Sequence, residues 1–530
     1  MKQLLQTFWK ENTLVLVIMI GASACTTIAS FSYSWIVNGI IAQSSLHFYR
    51  GCLILILSYL TFLFIKYVQI NYSSQLVAKM VLFLRERIIL QIVHQTPKQF
   101  KQTAIGSHVS KLSNDILQLE QQGIMNVYEL LANLISLFFA LSSLLLIHWL
   151  VFIVVGVQLV ILLQLPKLLD NKLKHLALAY ANQNEQANQL ATEALAGFST
   201  FYLFQSLDFL RQRLVRAYDL VRHAKNNQMF LMAKVIVLGG FGNICGQITA
   251  IALAGYFALH QEISIGAVTT VLSLATIVFN TAGNMSQYLA AIRSVEPIFE
   301  KNHYFDAYSS QELPTNQEID EYEIRFKDVS FQYPGSPQAL FSNLNYTFES
   351  GKKYAIIGAS GKGKSTLFQL IIGLLTPTTG EIFLGSKDYQ SLEEQTLRTQ
   401  ILYIEQNPYV FSGTLKDNLC LGESFTEKQL HQALIHAGLA EFRHKLDYEL
   451  TEHGDNLSGG QKQRLALARG LLRKKKIILL DESTANIDTK TAREIEQFIF
   501  SLKDCTVLMI THHLETALKE RCDQIIELIE

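Results

Sequence analysis

The residues Gly358-Ala359-Ser360-Gly361-Lys362-Gly363-Lys364-Ser365 stand between an apolar segment, Tyr354–Gly358, and a helical pattern, Thr366–Leu375. A strand, a glycine-rich loop and a helix in this order form a P-loop, whose backbone N–H groups and helix N-terminus bind a phosphate chain. Lys364 can reach the β- and γ-phosphates, and the Ser365 hydroxyl suits Mg²⁺. We expect the phosphate-binding residues to be Gly358, Ser360, Gly361, Lys362, Gly363, Lys364, Ser365 and Thr366. This stretch therefore predicts a nucleotide site in an α/β domain.

A second candidate strand, Lys476–Leu480, ends in the acidic pair Asp481-Glu482. A carboxylate at the end of a strand that follows a P-loop is typical of the aspartate that holds Mg²⁺. Glu482 is placed to orient or deprotonate a water that attacks the γ-phosphate. Two acids after a strand are weak evidence alone, and the P-loop makes them strong evidence for hydrolysis.

Between these two motifs lies Leu457-Ser458-Gly459-Gly460-Gln461, which opens a predicted helix that runs through Arg464 and Arg469. A serine and two glycines at a helix start repeat the chemistry of the P-loop, because they too form an anion site. One chain then carries two half-sites for one kind of ligand. A nucleotide held between two subunits needs this arrangement.

The composition divides the chain of 530 residues into two parts. Residues 1–300 carry 20 Lys/Arg and 13 Asp/Glu, and residues 301–530 carry 25 and 32, which is more than twice the charge density. The first part reads as a membrane domain and the second as a soluble one. Basic clusters with interleaved aromatic residues, which would indicate nucleic-acid binding, are absent from the sequence. The six cysteines lack the spacing of a zinc site or a disulfide scaffold.

Six apolar segments in the first part are long enough to cross a membrane. The predicted spans are Leu14–Ile41, Leu53–Ile70, Tyr128–Ile147, Leu150–Leu169, Val235–His260 and Ala267–Leu289. Lysines and arginines concentrate between the second and third spans and between the fourth and fifth, and the opposite connections carry only Arg50. Because such residues remain in the cytoplasm, we expect both termini and the soluble domain to be cytoplasmic.

The two basic connections each have about 55 residues and lack helix breakers over most of their length. We expect them to continue the helices tens of ångströms into the cytoplasm. Asn280, Asn284 and Gln287 repeat at helical spacing on the last span. In one interpretation these amides line a substrate cavity, and in the other they make hydrogen bonds between helices. The same two interpretations apply to Asn38, Asn243 and Gln247 in other spans. Lys66 either lines that cavity or extends to the membrane surface.

Together the motifs resemble the ABC transporter family, and the whole chain resembles its exporter-type half-transporters. The resemblance rests above all on Leu457–Gln461, the family signature. It implies that Tyr333 stacks on adenine, that Gln406 senses Mg²⁺ and water, that Asp488 is the D-loop aspartate and that His512 is the switch histidine. In the membrane half it implies coupling helices near Ser113–Leu117 and Phe204–Phe209.

The sequence departs from the family at several positions. The D-loop reads Ala485-Asn486-Ile487-Asp488 where the family prefers Ser-Ala-Leu-Asp, and Ser483 replaces the usual proline. From the residues given, we expect neither the usual C-terminal helices after the last strand nor a peptidase domain before the first span.

We therefore expect a membrane all-α six-helix domain (1–300) with long cytoplasmic helical extensions, a linker (301–322) and an ABC-type α/β P-loop ATPase domain (323–530). The expected function is ATP-driven export of a peptide, lipid or amphipathic small molecule across the cytoplasmic membrane, with ATP and Mg²⁺ as cofactors. The expected catalytic residues are Glu482, His512 and Gln406, and the expected metal-binding residues are Ser365, Gln406 and Asp481. Ser458, Gly459, Gly460, Gln461 and Asp488 are expected to contact nucleotide in a dimer, with a homodimer favoured over a heterodimer. An importer on the same fold and an ATP-gated channel or regulatory membrane protein are the alternatives.

Overall fold

The computed structural model describes most of the chain. The described residues are 1–96, 99, 100, 103, 105–164, 169–302, 304, 319–359, 361–392, 394–482, 487, 489–511 and 519–528. The chain divides into two compact units, one of residues 1–95 and 103–306 and the other of residues 96–102 and 307–530. Most of the predicted linker, 301–322, lies outside the described residues, so the predicted domain limits stay a prediction.

The described elements of the first unit are all helices joined by short turns. Its helices are α1 (Lys2–Thr7), α2 (Trp9–Ile41), α3 (Ser45–Val93), α4 (Ile105–Ser110), α5 (Ile116–Gln118), α6 (Met125–Ile147), α7 (Trp149–Gln164), α8 (Asp170–Ala196), α9 (Phe198–Leu203), α10 (Leu207–Leu259), α11 (Ile265–Ser294) and α12 (Glu296–Asn302). Wider π-helical turns, Lys111–Asp115 and Leu119–Ile124, join α4, α5 and α6 into one continuous run.

Five of the helical runs in the described residues are long and apolar enough to cross a membrane, and they contain five of the six predicted spans. The sixth, Leu150–Leu169, coincides with α7, a shorter apolar helix of 16 residues. Residues 165–168, at its end, lie outside the described part of the chain. The prediction of helices that continue beyond the bilayer is confirmed, because α3 has 49 residues and α10 has 53.

Polar side chains join the membrane helices, as one of the two interpretations expected. The Asn38 side chain on α2 accepts a hydrogen bond from Gly266 N at 2.9 Å, at the start of α11. Gly266 is required there, because a Cβ atom would lie 2.4 Å from the Ser34 carbonyl oxygen. On α10, Gln247 Nε2 donates to Asn243 Oδ1 at 2.6 Å, and Asn243 Nδ2 donates to Asn280 Oδ1 on α11 at 2.8 Å. These contacts fix the helices against each other.

The family resemblance implied coupling helices at two places. One of them, Phe204–Phe209, covers the turn between α9 and α10 and the start of α10, and its coupling role stays a prediction. The other segment, Ser113–Leu117, lies inside the continuous helical run from Ile105 to Ile147 and not at a helix end.

The second unit is an α/β domain. Its strands are β1 (Ile324–Phe331), β2 (Phe341–Phe348), β3 (Lys353–Ile357), β4 (Thr379–Leu384), β5 (Lys387–Asp388), β6 (Ile401–Ile404), β7 (Gly413–Thr414), β8 (Glu449–Leu450), β9 (Ile477–Asp481), β10 (Thr506–Ile510) and β11 (Gln524–Glu527). Its helices are α13 (Lys364–Ile371), α14 (Glu394–Gln400), α15 (Leu415–Cys420), α16 (Glu427–His436), α17 (Gly459–Leu472) and α18 (Thr489–Ser501).

A five-stranded parallel sheet in the order β11-β3-β10-β9-β6 positions the candidate site. Ile510 pairs with Ile356 on one side and with Asp481 on the other, and Ile404 pairs with Leu480. The carboxyl ends of these strands therefore lie at the same height in the sheet. Because all five strands run the same way, the residues that follow them meet along one edge, where ligands of open α/β sheets bind.

Candidate functional site

The loop after β3 has the backbone conformation that the P-loop prediction requires. Gly361 and Gly363 have positive φ angles of 83° and 88°, which a residue with a Cβ atom rarely adopts. A Cβ on Gly363 would also lie 2.8 Å from the Phe341 ring. The Lys364 side chain is buried, and its Nζ donates to the carbonyl oxygens of Gly358 at 2.8 Å and Ala359 at 2.9 Å. The ammonium thus lies inside the loop, where a phosphate chain would need it.

Tyr333 is attached to the first turn of the helix after this loop. Its hydroxyl lies 2.9 Å from the Thr366 Oγ1, and its ring packs edge-on against Phe331 with centroids 4.9 Å apart. The ring remains 42% exposed. An aromatic face beside the P-loop is available to a flat base, which agrees with the role that the family resemblance implied.

Asp481 ends β9 as a buried carboxylate, 5% exposed. The Tyr403 hydroxyl on the neighbouring strand β6 donates to Asp481 Oδ2 at 3.0 Å. Burial, and then the Asp481 charge, raise the pKa of Tyr403, so this hydroxyl remains a donor. One hydrogen bond fixes the carboxylate at the sheet edge and leaves oxygen lone pairs for a further ligand.

Glu482 follows directly, with a strained positive φ angle of 48°. Its backbone N–H donates to the Ile510 carbonyl oxygen at 3.2 Å, which ties the turn to β10. Its side chain accepts a hydrogen bond from Gln406 Nε2 at 2.7 Å. The structure thus brings two predicted residues together. The amide nitrogen of Gln406 orients the carboxylate, and its Oε1 remains an acceptor.

The signature serine, Ser458, is the N-cap of α17. Gln461 N donates to Ser458 Oγ at 3.2 Å, and Ser458 N donates to Gln461 Oε1 at 2.9 Å, so the two residues form a capping box. Gly459 has open space beside it, with nothing within 4 Å of an added Cβ. The predicted helix start is confirmed, and its first turn faces solvent.

Two residues of this site were missed by the sequence analysis. Tyr403 contacts Asp481, and Gln463, which is 1% exposed on α17, donates from Nε2 to the Gln406 carbonyl oxygen at 3.0 Å. Gln463 connects the signature helix to the residue that orients Glu482. In the sequence, the one feature that could have pointed to Gln463 is its position two residues after the signature Leu457–Gln461. Three predicted site residues, Ser360, Asp488 and His512, lie outside the described residues.

The predicted metal ligands suit Mg²⁺ by their donor chemistry. Ser365 supplies a hydroxyl, Gln406 an amide oxygen and Asp481 a carboxylate, and all three follow neighbouring parts of one sheet edge. Mg²⁺ prefers oxygen ligands and usually binds one or two carboxylates together with phosphates and water. The residues therefore fit the ion.

The helical unit contains a cavity of about 650 Å³. Asn280 and Asn284 line it, as the substrate-cavity interpretation expected, and Gln287 is not among its lining residues. Asn280 also bonds to Asn243, so it serves both interpretations. Lys66 lines the cavity too.

Comparison with known families agrees with both units. Residues 341–485 match the ABC transporter model, and residues 13–282 match the model of the ABC transporter transmembrane region. The second match alone covers half of the chain. The chain therefore belongs to the ABC transporter family, and it is a multi-pass membrane protein.

Two curated relatives show different extents of similarity. The multidrug resistance-like ATP-binding protein MdlB of Buchnera aphidicola subsp. Schizaphis graminum is 26% identical over 96% of this chain and 90% of its own length. The lactococcin transport/processing ATP-binding protein LcnC-like of Lactococcus lactis subsp. lactis is 33% identical, over 49% of this chain and 37% of its own. For five of the curated relatives, this chain spans only 37% to 58% of their length.

A solved structure, that of a bacterial Atm1-family ABC exporter with ATP bound, has the same fold. Its TM-score is 0.82 at 20% sequence identity, and the match covers 98% of this chain and 94% of that chain. The predicted fold class, a helical membrane domain with an ABC-type α/β domain, is confirmed.

Proposed function

We propose that this chain is one half of a dimeric ATP-driven exporter in the cytoplasmic membrane, and that both termini and the α/β unit are cytoplasmic. One observation carries the proposal. Asp481, Glu482 and Gln406 meet at the sheet edge that also carries the P-loop, and the Gln406–Glu482 hydrogen bond is 2.7 Å long. The names of relatives and the fold of an exporter support the direction of transport.

In the proposed reaction, ATP binds with its phosphates in the loop of residues 358–366. The Lys364 ammonium, already inside the loop, neutralises the β- and γ-phosphates. Glu482 accepts a proton from water as the water attacks the γ-phosphorus, and the bond between that phosphorus and the β–γ bridging oxygen breaks to give ADP and phosphate. Gln406 holds the carboxylate in place for this step.

Mg²⁺ would be held by Ser365, Gln406 and Asp481. When bound, it supplies positive charge at the phosphate oxygens. Tyr403 keeps the Asp481 carboxylate in its rotamer through the 3.0 Å hydrogen bond.

A second copy of the chain would complete the site. Gly361 in the P-loop and Gly459 in the signature both face open space, so each half-site is accessible to a partner. Ser458 and the first turn of α17 would bind the γ-phosphate of ATP held by the other chain. Because all half-site motifs are present in one chain, two copies would form two complete sites. We therefore favour a homodimer.

The ATPase proposal is tested with the purified chain in liposomes. We expect release of phosphate that requires both ATP and Mg²⁺, and we expect Lys364→Ala to lose both ATP binding and hydrolysis. Lys327→Ala is the matched control, because Lys327 is exposed and pairs only with Glu381 on the adjacent strand. Unchanged ATP affinity in Lys364→Ala would contradict the assigned role.

The homodimer is tested by mixing two inactive variants, Lys364→Ala and Ser458→Ala. A mixed pair has one composite site without either substitution, so we expect part of the activity to return. Failure of rescue in a mixture with proven pairing would exclude the homodimer.

A further inference from the structure

Many of the side chains that line the cavity in the helical unit are polar. Side chains from α2, α3, α6 and α11 line it, and 16 of its 22 lining residues are polar. Its volume of about 650 Å³ is within the range of small-molecule sites, roughly 300–1,000 Å³.

Two opposite charges line this one cavity. Lys66 projects from α3 and Glu129 from α6, and both helices cross the membrane. Among the described residues neither side chain has an ion-pair partner, and they do not pair with each other. Charged side chains at membrane depth are costly and mark binding sites or pathways unless they are paired. The space between them is therefore suited to a ligand that carries one charge of each sign.

Two further polar side chains lie on the same wall. Gln69, one turn beyond Lys66, is 5% exposed, and Thr281 on α11 is also 5% exposed. Both line the cavity, and neither has a hydrogen-bond partner within the described part of the chain. Because both side chains face the cavity, their polar atoms can pair with donors and acceptors of a ligand.

Two neutral hydroxyl groups line the cavity away from these charges. The Tyr33 and Tyr59 hydroxyls lie 3.3 Å apart. Lys66 is seven residues beyond Tyr59 on α3, which is about 10 Å along the helix. The charged end is the one toward Val93, where α3 continues beyond the apolar segment. In the proposed orientation, a solute from the cytoplasm meets the charges first.

We propose that this cavity binds a small zwitterionic solute rich in amide or hydroxyl groups, such as a short peptide with free termini. Lys66 binds its carboxylate, Glu129 binds its ammonium group, and Gln69 and Thr281 bind the polar groups between. The assignment of this solute as cargo rests on the proposed export function, whereas its binding does not. An apolar ligand of the same size would leave four polar side chains without partners.

The experiment measures equilibrium binding of a labelled tetrapeptide of glycine and serine to the purified chain in detergent, without ATP. We expect the peptide with free termini to bind at least about 10-fold more tightly than its N-acetylated, C-amidated form, because each blocked end loses a charge-assisted hydrogen bond. An uncharged alkyl glycoside of similar size is the apolar comparison, and we expect it to bind no more tightly than the blocked peptide.

Variants then assign each end of the peptide. Lys66→Met should weaken binding about 10-fold and become insensitive to C-terminal amidation, and Glu129→Gln should do the same for N-terminal acetylation. Lys66→Arg retains the charge and should bind within about threefold of the parent. Lys79→Met and Glu86→Gln, exposed on α3 outside the cavity lining, are the matched controls.

Equal affinity for free and blocked peptides overturns the inference, as do tighter binding of the alkyl glycoside or unchanged binding in Lys66→Met and Glu129→Gln. ATPase activity of the parent chain is measured separately. Selective peptide binding without ATP hydrolysis would contradict the exporter proposal and leave the binding site standing. Hydrolysis with unselective binding would contradict the inference alone.

Discussion

The hydrogen bond from Tyr403 to Asp481 offers a test of how the sheet edge prepares the nucleotide site. Tyr403→Phe removes one hydroxyl and retains the ring, which packs edge-on against Phe368 with centroids 6.2 Å apart. A hydrogen bond to a charged group contributes about 1.5–3 kcal/mol to stability. Because Asp481 is only 5% exposed, water cannot readily replace the lost hydrogen bond to its carboxylate. Loss of a group that orients a metal ligand typically lowers metal affinity about 10- to 100-fold.

We therefore expect the Mg²⁺ concentration for half-maximal ATP hydrolysis to rise about 10-fold or more in Tyr403→Phe. Tyr389→Phe is the matched control, because the Tyr389 hydroxyl donates to the Ile371 carbonyl oxygen at 2.8 Å, a neutral acceptor. Both variants should melt at a lower temperature than the parent, and only Tyr403→Phe should change the Mg²⁺ dependence. Parental Mg²⁺ dependence in Tyr403→Phe, or an equal shift in Tyr389→Phe, would refute the reasoning.

Three further predictions concern the same domain. Glu482→Gln keeps the shape of the side chain and removes the base, so ATP should still bind while turnover drops roughly 10²-fold or more, and near-parental hydrolysis would exclude Glu482 as the base. Gln463→Met removes the hydrogen bond to the Gln406 carbonyl oxygen, and turnover should fall about 5-fold with little change in ATP affinity, whereas parental turnover would show that this contact does not position Gln406. Burial raises the pKa of Tyr354 to about 12, whereas an unfolded tyrosine ionises near 10. Between these values the unfolded chain loses the proton and the native state retains it. The contribution of Tyr354 to stability is therefore complete below about pH 10 and is lost between pH 10 and 12. Thermal unfolding at several pH values should therefore show a smaller loss of stability between about pH 10 and 12 in Tyr354→Phe than in the parent. Parallel plots of stability against pH for the variant and the parent would contradict the raised pKa of Tyr354.

Local sequence signals predicted the parts of the structure that depend on neighbouring residues. The strand, loop and helix of the P-loop are contiguous, and the observed β3 and α13 begin within two residues of their predicted positions. Five membrane spans followed from apolar length alone. The start of α17 at Gly459 also has a local cause, because Ser458 and Gln461 are spaced as a capping box.

The sequence could not decide the role of the polar residues within membrane segments, since a substrate cavity and contacts between helices require the same residue types. The structure distinguishes the two roles by the hydrogen-bond partner of each residue. Asn38 and Asn243 bond to other helices, and Gln247 accepts a hydrogen bond from the Thr276 hydroxyl on α11. Lys66 and Gln69 line a cavity without a partner among the described residues. Helical spacing predicted which residues share a face of one helix, but which helix or cavity that face meets depends on packing.

The sequence by itself determined that this protein has a membrane part, a P-loop domain and two half-sites for nucleotide, because each is encoded in a continuous segment. Only the tertiary structure decided how distant segments meet at the site. Tyr403 reaches Asp481 across 78 residues, and Gln406 reaches Glu482 across 76. Both contacts exist because β6 pairs with β9 in a parallel sheet, and the order of parallel strands follows from packing of the whole domain rather than from any local pattern.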